Sequence, residues 1–293
     1  MNQAAAPLRH RAEAEAATLP ALLARAEHLA GSVLLGEHGR RRSGLGDDFW
    51  QYRPVQPGDS RRMIDWRRSA RSDSQFVRQR EWQIAQSVML WVDPAASMRF
   101  SSDKALPDKA DRANLLALAA AILLIRGGER VGLSGAPLPP GRGEAQVTRL
   151  AEALTQGSDE DYASPDTSGL LPHGRALFIS DFLGDTGALT AAMATAADRS
   201  IEGVVLQVLD PAEEAFPYRG RTIFESIGGT LAHETLKANA LRDRYLERLA
   251  ARKAELKQLA RVTGWQFRCH HTSDSAQSAL LWLYRAFDRG RGT

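Results

Sequence analysis

Residues 87–98 read SVMLWVDPAASM. Val88 to Val92 are apolar without interruption, and Asp93-Pro94 follows at once. A strand with one face in water alternates apolar and polar residues, so an unbroken run of this length describes a strand covered on both faces. Its carboxyl end is marked by Asp93.

The stretches downstream repeat the pattern. A helix is expected from Lys109 to Arg126, then a strand RVGLS, a helix over Gln146 to Leu154, and the strand ALFIS from Ala176 to Ser180. A helix from Ala188 to Ala197 and the strand VVLQVL from Val204 to Leu209 continue it. Apolar strands alternating with helices imply an α/β fold, a Rossmann-like parallel sheet flanked by helices. Past Pro211 come a hairpin pattern, RTIFESIGGTLAHE, a long helix from Thr235 to Val262, the strand WQFRCH and a closing helix from Ser275 to Phe287. This domain is expected to span 86–293.

Upstream, LPALLARAEHLA places Leu19, Leu22, Leu23, Ala26 and Leu29 on one face of an amphipathic helix that Gly31 should end, giving an N-terminal helical segment over 1–30. Residues 31–85 are rich in Gly and Arg, with turn chemistry at Ser43-Gly44, Gly46-Asp47 and Pro57-Gly58-Asp59. A small irregular β-rich subdomain is expected there.

Composition narrows the class. The chain has 293 residues, 43% of them hydrophobic, enough to fill a core, and its net charge of +3 does not by itself point to nucleic acid. The single cysteine, Cys269, excludes an internal disulfide and a cysteine-rich zinc site and suits a reducing compartment, so a cytoplasmic location is expected. The apolar run Leu115 to Ile125 falls short of the roughly 20 residues that cross a bilayer. The first residues carry acidic groups and no apolar signal core, so no secretion is expected.

Ligands of open parallel sheets bind beyond the carboxyl ends of the strands. Three such ends carry carboxylates here, at Asp93, Asp181 and Asp210. Asp and Ser oxygens gathered at one rim suit a hard cation such as Mg²⁺. Asp93 can equally cap a turn or a helix start.

The order strand, Asp-x-Ser-x-Ser, helix and later strand-Ser-Asp resembles a von Willebrand factor A-type domain with its metal-ion-dependent adhesion site. The resemblance implies that Asp93, Ser97 and Asp181 organise a cation, with Thr167 as the candidate threonine of the second loop. Ala95 departs from the pattern, because it stands where the family has a serine and removes one hydroxyl. A second resemblance covers nearly the whole chain. Residues 44–80, GLGDDFWQYRPVQPGDSRRMIDWRRSARSDSQFVRQR, are similar to the signature of the bacterial family catalogued as domain of unknown function fifty-eight. Arg53, Gly58, Asp59, Arg62, Asp65, Trp66 and Arg71 carry the likeness. It implies a non-enzymatic adaptor that partners a MoxR-type AAA+ ATPase in chaperone-like maturation of protein complexes with an unidentified client.

In that signature Asp59 can cap a short helix, SRRMIDWRRSAR, with Ile64 and Trp66 available for packing and Asp65 paired to neighbouring arginines. The alternative is nucleic-acid binding through the Arg-rich segment 40–80, although its arginines are interleaved with acidic residues. A Mg²⁺-dependent hydrolase at Asp93 is a further reading, but it lacks a lysine after a nearby strand. Cys269 alternates with apolar residues, as a core thiol would, and His270-His271 is expected to be a surface pair.

Overall fold

The computed structural model describes residues 19–33, 50–55, 64, 66–70, 74–80, 86–220, 222–225, 232–235 and 238–288. The chain divides into two units, one of residues 1–36 with 86–293 and one of residues 37–85.

The larger unit is built on a six-stranded sheet. Its strands are β3 (Ser87–Val92), β4 (Arg130–Leu133), β5 (Leu138–Gly141), β6 (Arg175–Ser180), β7 (Glu202–Leu209) and β10 (Gln266–His271), in the order β10-β7-β6-β3-β4-β5. All neighbours are parallel except β4 and β5. The sheet is therefore mixed, where an all-parallel sheet was expected. Pro139 and Pro140 lie in β5, at the sheet edge, where prolines are tolerated, and the pairing with β4 shifts register between Val131 and Leu133. Gln146 secures that edge by donating from Nε2 to the carbonyls of Val131 at 2.8 Å and Pro139 at 3.1 Å.

Side chains alternate across the sheet as the pleat requires. Val88, Leu90 and Val92 of β3 enter one core with α1 (19–33), α3 (Lys109–Arg126), α4 (Glu144–Leu154) and α8 (Ala276–Asp288). Met89 and Trp91 enter the other, with α5 (Thr186–Asp198) and α7 (Ala238–Val262). The result is three layers, helix on sheet on helix. The helix over residues 19–33 belongs to this unit, and Leu22, Ala26, Ala30 and Val33 are buried in the first core. It also runs through Gly31 instead of ending there. The helix cost of a glycine, about 1 kcal/mol, is offset by burying Val33 one half-turn later.

In the smaller unit β1 (Trp50–Pro54) pairs antiparallel with β2 (Phe76–Arg80), placing Arg53 opposite Val77. The helix α2 is only Trp66–Ser69, and Trp66 is 56% exposed instead of packed. Ile64 is buried. Gly58, Asp59, Arg62, Asp65 and Arg71, with most of the Arg-rich segment, lie outside the described residues. The expected hairpin is present as β8 (Thr222–Glu225) and β9 (Ala232–Thr235).

Two details of the large unit are sensitive. A methyl group added at Gly203 of β7 would lie 2.7 Å from the Trp265 indole, which is 4% exposed and donates from Nε1 to the Ile201 carbonyl at 2.9 Å. Gly203→Ala should destabilise the fold by about 1–3 kcal/mol through overpacking. Trp265→Leu in the same chain should recover part of that loss in a double-mutant cycle read by urea unfolding. Additive losses would show that the contact is not the cause.

The second is His270, expected at the surface and found 1% exposed. Arg112 of α3 donates to His270 Nε2 at 3.1 Å and to the carbonyls of Thr272 and Asp274 at 2.8 and 2.6 Å. An arginine only donates, so Nε2 accepts and the proton sits on Nδ1. Burial, with the Arg112 charge beside it, pulls the His270 imidazole down to about 4 from 6.5. Below pH 6.5 the unfolded chain binds a proton that the folded chain refuses, so this group removes stability as pH falls towards 4. His270→Gln keeps an acceptor for Arg112 and removes the titration. Between pH 7 and pH 4 the wild type should lose up to about 3 kcal/mol relative to the variant in urea unfolding. Parallel profiles would contradict the assignment.

Candidate functional site

From β3 the chain passes through α3 to β4 on one side, while β6 pairs with β3 on its other side and leads on through α5 to β7. The loops after β3 and β6 therefore leave in opposite directions and open a crevice between them, the switch point at which doubly wound sheets hold ligands. Asp93 and Asp181 stand at its two lips. They share a small cleft, lined also by Tyr162, Ser180, Gly184 and Asp185.

Asp93 is 4% exposed, and both its oxygens are engaged. Oδ1 accepts from the Ala95 N–H at 2.9 Å, and Oδ2 accepts from the Ser180 hydroxyl at 2.6 Å. Ser180 Oγ in turn accepts from the Phe182 N–H at 2.9 Å. Burial pushes the Asp93 carboxyl up to about 6, against the pull of the Ser180 and Ala95 hydrogen bonds, and neighbouring Asp181 adds to the rise. Phe182 has a φ of 51°, costly for a bulky residue, and is held there by burial against Trp91 at 6.2 Å between ring centres.

Asp181 is 1% exposed and receives the Lys109 ammonium at 2.8 Å on Oδ2 and the Leu183 N–H at 3.0 Å on Oδ1. Its carbonyl accepts from Gln207 at 2.8 Å. Lys109, the first residue of α3, is also 1% exposed and donates to Glu213 Oε1 at 2.6 Å. Burial alone would lower the Lys109 ammonium, but the two carboxylates outweigh it and hold the group above its ordinary value. Burial raises the Glu213 carboxyl, and Lys109 opposes that rise. Removing one member of such a buried set costs about 3–5 kcal/mol, because it strands the opposite charge. The sequence reading found no lysine near these strand ends. It missed Lys109 because 15 residues, 94–108, lie between Asp93 and the start of α3.

Asp210, at the end of β7, is fully buried. It caps the short helix α6 (Pro211–Ala215) by accepting from Ala212 N–H at 2.8 Å, and Glu213 completes the capping box. Its carboxylate also accepts from Ser102 N–H at 3.0 Å and Ser102 Oγ at 2.5 Å, drawing the loop after β3 across the rim. That loop is held from the other side as well. Ala96 and Ser97 donate their N–H groups to the carbonyls of Glu160 at 2.7 Å and Asp161 at 3.1 Å. Arg252 of α7 donates to the carbonyls of Phe182 and Gly184 at 3.0 and 2.6 Å.

Ser97 Oγ is buried without a partner, and Ser97 does not line the cleft. Thr167 is not brought to the cleft either. Its loop is tied to the end of β4, where Ser134 Oγ donates to the carbonyls of Asp166 at 2.6 Å and Ser168 at 3.0 Å. As a divalent-cation site the set does not fit: Ala95 offers no side-chain oxygen, each oxygen of Asp93 already accepts a hydrogen bond from the protein, and Asp181 already holds an ammonium. The orphaned Ser97 hydroxyl is the one feature in favour.

A second cluster lies on the outer side of α6. Ligand atoms of Glu214, Cys269 and His271 come within 4.8 Å of one another. Glu214 is ion-paired to both Lys253 and His271. Cys269 is half-buried, and burial pushes its thiol up to about 11. Glu214 is 55 residues from Cys269, so the sequence reading of a core thiol beside a surface histidine pair could not include it.

Comparison with known proteins places the chain among relatives of undescribed function. It is 30% identical over 248 residues to Uncharacterized protein Rv1480 of Mycobacterium tuberculosis, an alignment covering 79% of this chain and 77% of that protein. The same figures hold for Uncharacterized protein Mb1516 of Mycobacterium bovis. Among solved structures it is similar to an aerotolerance-related membrane protein from Bacteroides fragilis, at 16% identity and a TM-score of 0.43, covering 70% of this chain and 100% of that one. The conserved hypothetical protein BatB from Bacteroides thetaiotaomicron aligns over the same shares at 15% identity and a TM-score of 0.41. The model of the family described as Protein of unknown function DUF58 matches residues 51–255, and the chain belongs to that family.

Proposed function

We propose that this protein is a non-enzymatic adaptor for a MoxR-type AAA+ ATPase, acting in chaperone-like maturation or assembly of a protein complex and docking through the rim around Asp93. The observation that supports it is how the rim uses its polar groups. Asp93, Ser180, Asp181 and Asp210 all spend their hydrogen bonds on fixing the loops that surround them. Ser180 Oγ donates to a carboxylate and accepts from a backbone N–H, so it is engaged as a structural link. Rigid loops around a crevice suit recognition of a preformed partner surface.

The finer reading of the fold, a von Willebrand factor A-type domain, draws support from the central position of β3 and from Asp93 and Asp181 at the two lips. Among the described residues no helix is long and apolar enough to cross a membrane. A reducing compartment, the cytoplasm, is the setting in which we propose this function, with Cys269 a free thiol.

Because Asp93 and Asp181 are buried, their substitution would test folding more than docking. Among the outward groups of the rim are Tyr162, 44% exposed, and Arg99, whose side chain is 40% exposed. Purified chain should capture a MoxR-type ATPase from the same organism in the presence of nucleotide. Tyr162→Ala and Arg99→Glu should each weaken capture about tenfold, as for an anchor at an interface, with circular dichroism unchanged. Absence of capture by the wild type would sink the partner assignment, and capture unaffected by both variants would move the docking surface elsewhere.

A further inference from the structure

The Lys109 ammonium has three protons to donate. One goes to Asp181 Oδ2 at 2.8 Å and one to Glu213 Oε1 at 2.6 Å, and the ammonium lies 5.7 Å from the centre of the Phe100 ring, within cation–π range. Its position is set by the start of α3. Asp108 caps that helix by accepting from the Asp111 N–H at 2.7 Å, and the Lys109 N–H donates to the Phe100 carbonyl at 3.2 Å. Carboxylate oxygens from β6 and α6 thus converge on one point deep in the rim, and that point holds a positive charge supplied by the chain itself.

We infer that Lys109 is the resident cation of this rim, its ammonium standing where a divalent ion would otherwise bridge the strand-end carboxylates, so that the rim is assembled without metal. Three independent features agree. Ala95 offers no side-chain oxygen where a metal loop would need one, and Thr167, in a loop tied to β4, does not line the cleft. Each Asp93 oxygen already accepts a hydrogen bond from the protein. A divalent ion added beside the ammonium would meet like-charge repulsion in a site shielded from water, so ammonium and metal exclude each other. The Ser97 hydroxyl, buried without a partner, is then a leftover donor and not a ligand.

One consequence concerns how the rim meets a partner. A divalent ion with an open coordination position can accept a carboxylate from a second protein. The Lys109 ammonium is 1% exposed, with two carboxylates already on it, and cannot. Docking here depends on the shape and outward side chains of the loops and is indifferent to chelators. The inference rests on the rim and not on the partner: its test reads metal response and stability, while the docking reading stands or falls on capture of the ATPase.

The experiment uses the full chain, free of any affinity tag, and follows thermal unfolding with Mg²⁺ or Mn²⁺ against a sodium salt of equal ionic strength. The wild type should unfold at the same midpoint with or without either ion. Lys109→Ala, which leaves two carboxylates facing the vacated volume, should unfold at a lower midpoint and regain part of the loss with Mn²⁺. Lys109→Ala combined with Asp181→Asn should not respond. If Lys109→Ala is not obtained folded, Lys109→Gln, which fills more of the volume without charge, takes its place in both arms. A wild-type midpoint that rises with Mg²⁺ or Mn²⁺, and no longer does so in Asp181→Asn, would overturn the inference. So would a folded, destabilised Lys109 variant that is insensitive to Mn²⁺.

Discussion

A charge taken out of water must be paired, and in this protein the charge is the ammonium of Lys109. Even after relaxation, an unpaired ion in a protein interior costs several kcal/mol. The start of α3, the end of β6 and the helix α6 must therefore be in register before any of them is stable there. Asp181 and Glu213 lie 72 and 104 residues from Lys109 along the chain. Layer contacts between apolar faces are non-directional and would tolerate small slips of one helix over the sheet. Hydrogen bonds of 2.6 and 2.8 Å would not, so the carboxyl edge of the sheet is positioned by this triad while the bulk of the stability comes from the two cores.

The helix α6 shows how the same constraint is passed outward. Glu213 points inward to Lys109, and the next residue, Glu214, points outward to Lys253 of α7 and His271 of β10. Asp210 caps the helix and simultaneously holds Ser102 of the loop after β3. A helix of five residues has little stability of its own. Here it is held by ion pairs on both sides, and it links the central strands to the edge strand β10. Arg112 reinforces the same edge by joining α3 to the loop after β10.

What was legible in the sequence follows from the range of the interaction responsible. The strands around Val88–Val92 and Ala176–Ser180 and the helix Lys109–Arg126 announce themselves, because continuous apolar burial is written in consecutive residues. The edge strand β5 does not, since Leu138-Pro139-Pro140-Gly141 has the composition of a turn and becomes a strand only because β4 offers it an edge. Asp93, Asp181 and Asp210 were readable as strand ends. Their purpose was not: Lys109 reads as an ordinary residue opening an apolar helix, and only the fold brings it to Asp181. Gly31 misled in the opposite sense, where a local helix terminator was overridden by burial of the residues on either side. His270 misled because a histidine pair at a strand end looks exposed, and nothing local announces that Arg112 lies over it.

Asp93 and His270, two buried ionisable groups on different parts of the sheet, respond to pH in opposite directions. Asp93 has its carboxyl raised to about 6 from 3.8, so between those values the folded chain holds a proton that the unfolded chain has released. Stability from this group is highest in acid and declines as pH rises through that window. His270, lowered to about 4 from 6.5, does the reverse, and stability from it grows as pH rises through nearly the same window. Each effect amounts to about 3 kcal/mol. Because they oppose each other, these two contributions largely offset one another between pH 4 and 6. The Lys109 triad lies outside this compensation. Its ammonium is held above an already high ordinary value, so the positive charge at the centre of the rim persists while Asp93 changes state.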